Sequence, residues 1–355
     1  MNGDARFFES YHHERNYGCR LREYLYRGLR TVTLENELLR VTVLLDKGSD
    51  VVELLYKPED LDVMWHSPLG VRAPAYTATV ANPPGSFLDH YPGGWQELFP
   101  SIGRGCTYRG AALGTHGEAC LLPWELRVQR DEPEIVTIAM QVRTVRTPFR
   151  LEKTLTLKSG DPTLYIEETV INEGRETLQA MWGHHPAFGP LFLDGSCRLD
   201  VPGGCRARTD ERDFGPHAPL PRGAEFQWPT LTDREGHEWD LSRVPPPDSQ
   251  VYFMVYLYEV PEGWYRLLNE KRGVGFAMRW DPELFPVIAV WMPCGGAVGY
   301  PWYGRIYAMA VEPWSSLPAT LCEAAEGGTA LSLEAGQELH TRLEAGIETT
   351  EPREE

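Results

Sequence analysis

The stretch RTVTLENELLRVTVLLDKGSDVVELLY (30–56) decides the fold class. Val, Thr, Leu and Tyr recur at alternate positions, broken by Glu-Asn-Glu and by Asp-Lys-Gly-Ser-Asp, so the stretch reads as two or three strands joined by turns. The same period of two returns in IVTIAMQVRTV (135–145), FRLEKTLTLKSGDPTLYIEETVINEG (149–174), SQVYFMVYL (249–257), GVGFAMRWD (273–281) and PVIAVWMP (286–293). No window of helical length carries a 3.6-residue apolar stripe. The chain is therefore expected to be all-β.

Its 355 residues allow two domains or one large β domain, and the 29 prolines and 34 glycines are spread too evenly to mark a linker. One domain over residues 30–342 is expected, with 1–29 as an extension packed on it and 343–355, EAGIETTEPREE from residue 344, as a mobile acidic tail. The Pro-rich connection 216–249 is long enough to expect a functional or loosely ordered loop. A net charge of −17 with no run of Lys or Arg gives nucleic acid or an anionic membrane no electrostatic hold. Seven cysteines without a C-x-x-C spacing indicate neither a disulfide framework nor a zinc ribbon, and buried thiols in a reducing compartment are expected. With no apolar leader segment and no long apolar run, a cytoplasmic location is expected. A homodimer is left open.

Three polar residues stand in apolar company: His116 between Gly114 and Gly117, His185 in MWGHHPAFG (181–189) before Pro186, and Glu312 in RIYAMAVEPW before Pro313. Each is expected at a strand end, where a β scaffold presents side chains into a cleft. Two imidazoles and a carboxylate can give and take protons near neutral pH. Trp95, Trp182, Trp280, Trp291 and Trp302 offer candidate stacking faces for a ring, although tryptophan in sheets more often belongs to the core. Gln96 and Glu97 follow the Gly93-Gly94 turn and could bind hydroxyls, while Arg279 and Asp281 flank Trp280.

These residues carry a resemblance. LENELLRVTVLLDKGSDVVELLYKPEDLDVMWHSP (34–68) looks like the opening of the aldose 1-epimerases of the galactose mutarotase-like superfamily, and TLTLKSGDPTLYIEETVINEGRETLQAMWGHHPAFG (154–189) is similar to their central segment. PGGWQELFPSIG (92–103) with THGEACLLPW (115–124) resembles the hexose-6-phosphate epimerase branch, and AMAVEPWSSLP (308–318) resembles the strand bearing the catalytic glutamate. The resemblance covers roughly residues 30–342. It implies a large antiparallel β-sandwich, a hexose substrate, no cofactor and no metal. It also implies general acid–base ring opening with Glu312 as base, His185 as acid and His116 on the sugar, while His184 supports rather than reacts. Gln96, Trp95, Trp182 and Arg279 are further candidate substrate contacts read from the residues themselves, Arg279 against the alternative of a surface ion pair with Asp281.

The resemblance has gaps. GGWQELFP stands where galactose mutarotases carry an arginine, the sugar-binding aspartate has no secure counterpart, and Glu118 follows His116-Gly117 where the phosphate-using branch has an arginine-bearing stretch. A sugar-binding protein without catalysis, a hydrolase or lyase on the same scaffold, and a metal enzyme built on two His and one carboxylate remain alternatives.

Overall fold

The computed structural model describes residues 15–74 and 85–351. The opening stretch forms three consecutive antiparallel strands, Leu29–Glu35, Leu39–Leu44 and Asp50–Tyr56. Asn36 makes the first turn, its side-chain oxygen accepting the amides of Leu38 and Leu39 at 2.8 and 2.7 Å. Gly48 makes the second: its φ is +68°, and an added Cβ would lie 2.4 Å from the Cys120 carbonyl oxygen.

Among the described residues the strands gather into a twelve-stranded and an eight-stranded sheet, with three small two-stranded pairs. The two large sheets share one apolar core, to which Val41, Leu54 and Val290 contribute from the first and Leu151, Ile166 and Phe276 from the second. This is the large antiparallel β-sandwich expected. Its helices are short, Gly85–Asp89 and Leu321–Glu326. Neighbouring strands at the middle of the large sheet run in the order Trp95–Leu98, Gly183–Phe188, Met309–Trp314, Val287–Cys294, Val251–Tyr258, Arg206–Thr209.

Both expected boundaries need correction. Arg20–Tyr26 is an edge strand paired along its length with Leu29–Glu35, so the sheet begins inside the supposed extension. Residues 343–349 belong to the strand Glu338–Thr349, which lies inside the eight-stranded sheet between Thr163–Asn172 and Val274–Arg279. Leu343, Ala345 and Ile347 are buried while Glu344 and Glu348 alternate with them, so an acidic composition hid a period of two. The connection 216–249 is not an open loop either: it carries the short strands Glu225–Gln227, Thr230–Thr232 and Glu238–Asp240, and none of its residues lines the cleft described next.

Candidate functional site

His184 and His185 lie on one strand, and alternation sends them to opposite faces of the large sheet. His184 points between the sheets. Its Nδ1 accepts from Trp95 Nε1 at 3.2 Å, and its Nε2 lies 3.2 Å from Glu168 of the second sheet. Lys153 completes this buried cluster, 2.5 Å from Glu97 and 3.4 Å from Glu168, and Trp182 Nε1 donates to Glu97.

His185 faces the other way, into a cleft of about 640 Å³ that His116 and Glu312 also line. The pairing of Gly183 with Trp314 and of Ala187 with Ala310 sets His185 directly across from Glu312 on the adjacent strand. On Val287–Cys294 the residue opposite Glu312 is Ala289, whose small side chain leaves space on the floor before Tyr256 of the next strand. His185 and Glu312 therefore sit mid-strand, not at strand ends as expected, and central strands hold them more rigidly than an edge or loop would.

His185 Nε2 is 3.5 Å from Glu312 Oε1, and its Nδ1 is 3.2 Å from the Tyr91 hydroxyl. Glu312 Oε2 accepts from Trp314 Nε1 at 3.1 Å, whereas Oε1 makes no hydrogen bond with the described residues. A buried carboxyl oxygen left in this way is available to a ligand hydroxyl. His116 comes from a loop, with its ring centroid 5.5 Å from that of His185. Its φ is +61°, and its Nδ1 lies 2.7 Å from the Ile102 carbonyl oxygen, which can only accept. Nδ1 therefore carries the hydrogen, leaving Nε2 of the neutral ring as an acceptor. Gly117 permits this loop to close on the sheet, since a Cβ there would meet the Phe99 carbonyl oxygen at 2.3 Å.

Burial sets the protonation of the site. It pushes the His185 imidazole down to about 3, with His116 adding to the effect, and His116 down to about 4 against the Ile102 hydrogen bond. The same burial pushes the Glu312 carboxyl well above the usual carboxylate range, outweighing the Trp314 hydrogen bond and the charge of Arg212. Burial thus favours the uncharged form of both partners, a proton on Glu312 and none added to His185, the inventory of an acid–base couple.

Because both imidazoles titrate lower in the folded chain than the ordinary 6.5, their contribution to stability is present above pH 6.5 and lost as pH falls toward 4 and 3. Glu312 acts with the opposite sign, losing its contribution as pH rises above 4.5. His116→Asn should therefore show a smaller drop in Tm than the parent when the pH is lowered from 6.5 to 4. Thermal unfolding followed across that range checks this, and parallel curves would contradict it.

The far wall is a charge-paired unit. Arg212 donates to Asp210 from Nε at 3.0 Å and from Nη2 at 2.7 Å, the Tyr256 hydroxyl donates to the same carboxylate, and Arg212 Nη1 makes no hydrogen bond with the described residues. Phe87, Tyr91, Trp291 and Trp302 add aromatic faces.

Several residues expected to contact the ligand lie elsewhere. Trp95 and Trp182 are buried in the inter-sheet cluster on the far side of the sheet. Gln96 is fully buried and donates to Asp50 and to the Gly93 carbonyl oxygen. Arg279 is on the second sheet, 3.5 Å from Glu348. Trp280 is core, donating to the Phe285 carbonyl oxygen. Glu118 is also absent from the cleft: its carboxylate accepts the amides of Val145 and Arg146 and the Thr147 hydroxyl. Of the tryptophans singled out, Trp291 and Trp302 line the cleft. Tyr91, Asp210 and Arg212 were missed, because in YPGG (91–94) and TDERD (209–213) no polar residue stands alone in an apolar run.

Residues 26–347 match the family described as "Domain of unknown function (DUF4432)". No curated protein matches the chain in sequence. Solved structures share its fold. A Klebsiella pneumoniae protein with the provisional name aldose 1-epimerase superposes with a TM-score of 0.71 at 15% identity, over 92% of this chain and 83% of its own. A galactose mutarotase-like protein from Lactobacillus casei gives 0.61 at 19% identity, over 90% and 100%. Another from Clostridium acetobutylicum gives 0.63 at 12%, over 94% and 99%.

Proposed function

The chain belongs to the DUF4432 family, and from that premise and the cleft's geometry we propose that it interconverts the α and β anomers of a hexose by general acid–base ring opening. The observation that carries this reading is the His185–Glu312 pair, opposed on neighbouring central strands, with the carboxyl oxygen nearer His185 accepting no hydrogen bond from the described residues at the edge of an aromatic cleft. Anomer exchange needs one group to take the proton of the anomeric hydroxyl and another to protonate the ring oxygen. The ring opens, the C1–C2 bond rotates, and closure reverses the two transfers.

The resemblance makes Glu312 the base and His185 the acid. Burial leaves the resting proton on Glu312, so in that assignment the bound sugar draws the proton across to His185; either arrangement supplies one donor and one acceptor. His116 Nε2 accepts from a sugar hydroxyl, and Arg212 Nη1 donates to another, taking over the role of the arginine that GGWQELFP lacks. No cofactor takes part. A metal is not required either, because the carboxylate–imidazole cluster of Glu97, Glu168 and His184, whose ligand atoms lie within 4.8 Å of one another, has the Lys153 ammonium against both carboxylates.

Purified protein is expected to accelerate mutarotation of at least one hexose, followed by polarimetry, with no change on addition of EDTA. Only the uncatalysed rate across a broad sugar panel would defeat the proposal. A neutral hexose is expected to be used at least as well as its 6-phosphate. The reason is the charge pairing along the cleft: Arg212 is matched by Asp210, Arg208 by Glu211 at 3.8 Å, and Arg104 by Glu323 at 3.7 Å. Comparison of kcat/KM for glucose, galactose and their 6-phosphates tests this, and a phosphate preference of about tenfold, worth roughly 1.4 kcal/mol, would overturn it.

A further inference from the structure

Two of the seven cysteines differ from the rest. Cys19, Cys120, Cys197, Cys205 and Cys294 are buried and singly placed, whereas Cys106 and Cys322 are half-buried with their sulfurs 2.9 Å apart, although 216 positions separate them in sequence. We propose that Cys106 and Cys322 are a site of reversible oxidation to a disulfide that staples one wall of the cleft.

The wall consists of two arms. One runs through Gly103 and Arg104 into the strand Cys106–Tyr108; the other runs through Pro318 and Ala319 into the helix Leu321–Glu326. The arms already touch at backbone level, since a Cβ on Gly103 would lie 2.2 Å from the Ala319 carbonyl oxygen. Thr320 and Glu323 form a reciprocal capping box that fixes the start of the helix and with it the position of Cys322. Cys322 Sγ also approaches the Thr107 carbonyl oxygen at 3.2 Å. The two sulfurs are thus brought together by ordered elements on both sides.

Burial, the Cys106 sulfur and the Glu326 and Glu323 carboxylates push the Cys322 thiol up to about 11. At neutral pH Cys322 remains a thiol that donates to Cys106, which makes Cys106 the attacking sulfur. With a hydroperoxide as oxidant, Cys106 sulfur bonds to one peroxide oxygen as the O–O bond breaks, giving a sulfenic acid and releasing water from hydrogen peroxide. Cys322 sulfur then displaces the second oxygen as water, so an S–S bond forms and the S–O bond breaks. The two thiol protons leave with the two waters; each sulfur loses one electron and the peroxide gains two. A dithiol restores both thiols by thiol–disulfide exchange, its own two sulfurs ending as a disulfide.

The test treats the full-length protein with a small excess of hydrogen peroxide, alkylates it under denaturing conditions and maps peptides by mass spectrometry. Titratable thiols should fall from seven by two, with a single cross-link joining the peptides of Cys106 and Cys322 that dithiothreitol removes. Cys106→Ala and Cys322→Ala should each abolish the cross-link. If either variant fails to fold, the wild-type peptide map decides. Amide exchange in residues 102–108 and 318–326 should slow on oxidation. Retention of all thiols, pairing with other cysteines, conversion to sulfinic acid without a cross-link, or unchanged exchange in the two arms would overturn the proposal.

Discussion

Glu312→Gln and His185→Asn are each expected to lower kcat for mutarotation by about 10²–10⁴-fold, the usual worth of a positioned acid or base. Both substitutions preserve approximate size and hydrogen bonding, and the amide oxygen that Glu312→Gln introduces can still accept from Trp314 Nε1, so sugar affinity and Tm should change little. The double variant should lose far less than the product of the two effects, because the two residues exchange one proton and act as a unit. His184→Asn is the control. Its side chain lies on the opposite face of the sheet, so it should cost less than about tenfold in kcat. Steady-state polarimetry on the four proteins checks the set, and a larger kcat loss for His184→Asn than for His185→Asn would reassign the acid.

Lys153→Met is expected to produce the largest stability loss, about 3–5 kcal/mol, seen as a Tm lower by about 4–7 °C. Lys153 reaches across the sheets to Glu97 and, within its own sheet, to Glu168 opposite it on the neighbouring strand, all three nearly excluded from solvent. Burial raises the Glu168 carboxyl, but His184 and Lys153 outweigh burial and hold it at about 2. Removing the ammonium leaves the Glu97 and Glu168 carboxyl groups side by side in the core, where burial and Glu168 already push Glu97 up, with Trp182 and His184 as their remaining polar neighbours. That costs far more than an exposed ion pair is worth. Denaturant unfolding with an unchanged m-value measures it, and a loss below about 1 kcal/mol would mean that the cluster tolerates its own charge.

Much of the fold was legible because strand alternation survives translation into sequence. RTVTLENELLRVTVLLDKGSDVVELLY announces its three strands, whereas EAGIETTEPREE conceals one, since Glu344 and Glu348 on the outer face dominate its composition. His116, His185 and Glu312 were legible as polar residues in apolar runs, and the structure brings them together in one cleft. The ligand contacts were harder to read. Trp95, Gln96 and Trp182 neighbour the site in sequence, but the period of two and the covering segments direct them into the protein. Asp210 and Arg212 neutralise each other, which no one-dimensional pattern reveals, because a paired and an unpaired charge are spelled alike.

Two-dimensional NMR exchange spectroscopy on glucose and galactose at anomeric equilibrium, with wild-type protein and with Glu312→Gln, tests the central claim most directly. The account predicts exchange cross-peaks between the α and β anomeric protons of at least one sugar with the wild type, and their reduction by about 10²-fold or more with the variant. Exchange no faster than in protein-free solution with the wild type, or equal exchange with both proteins, would contradict it.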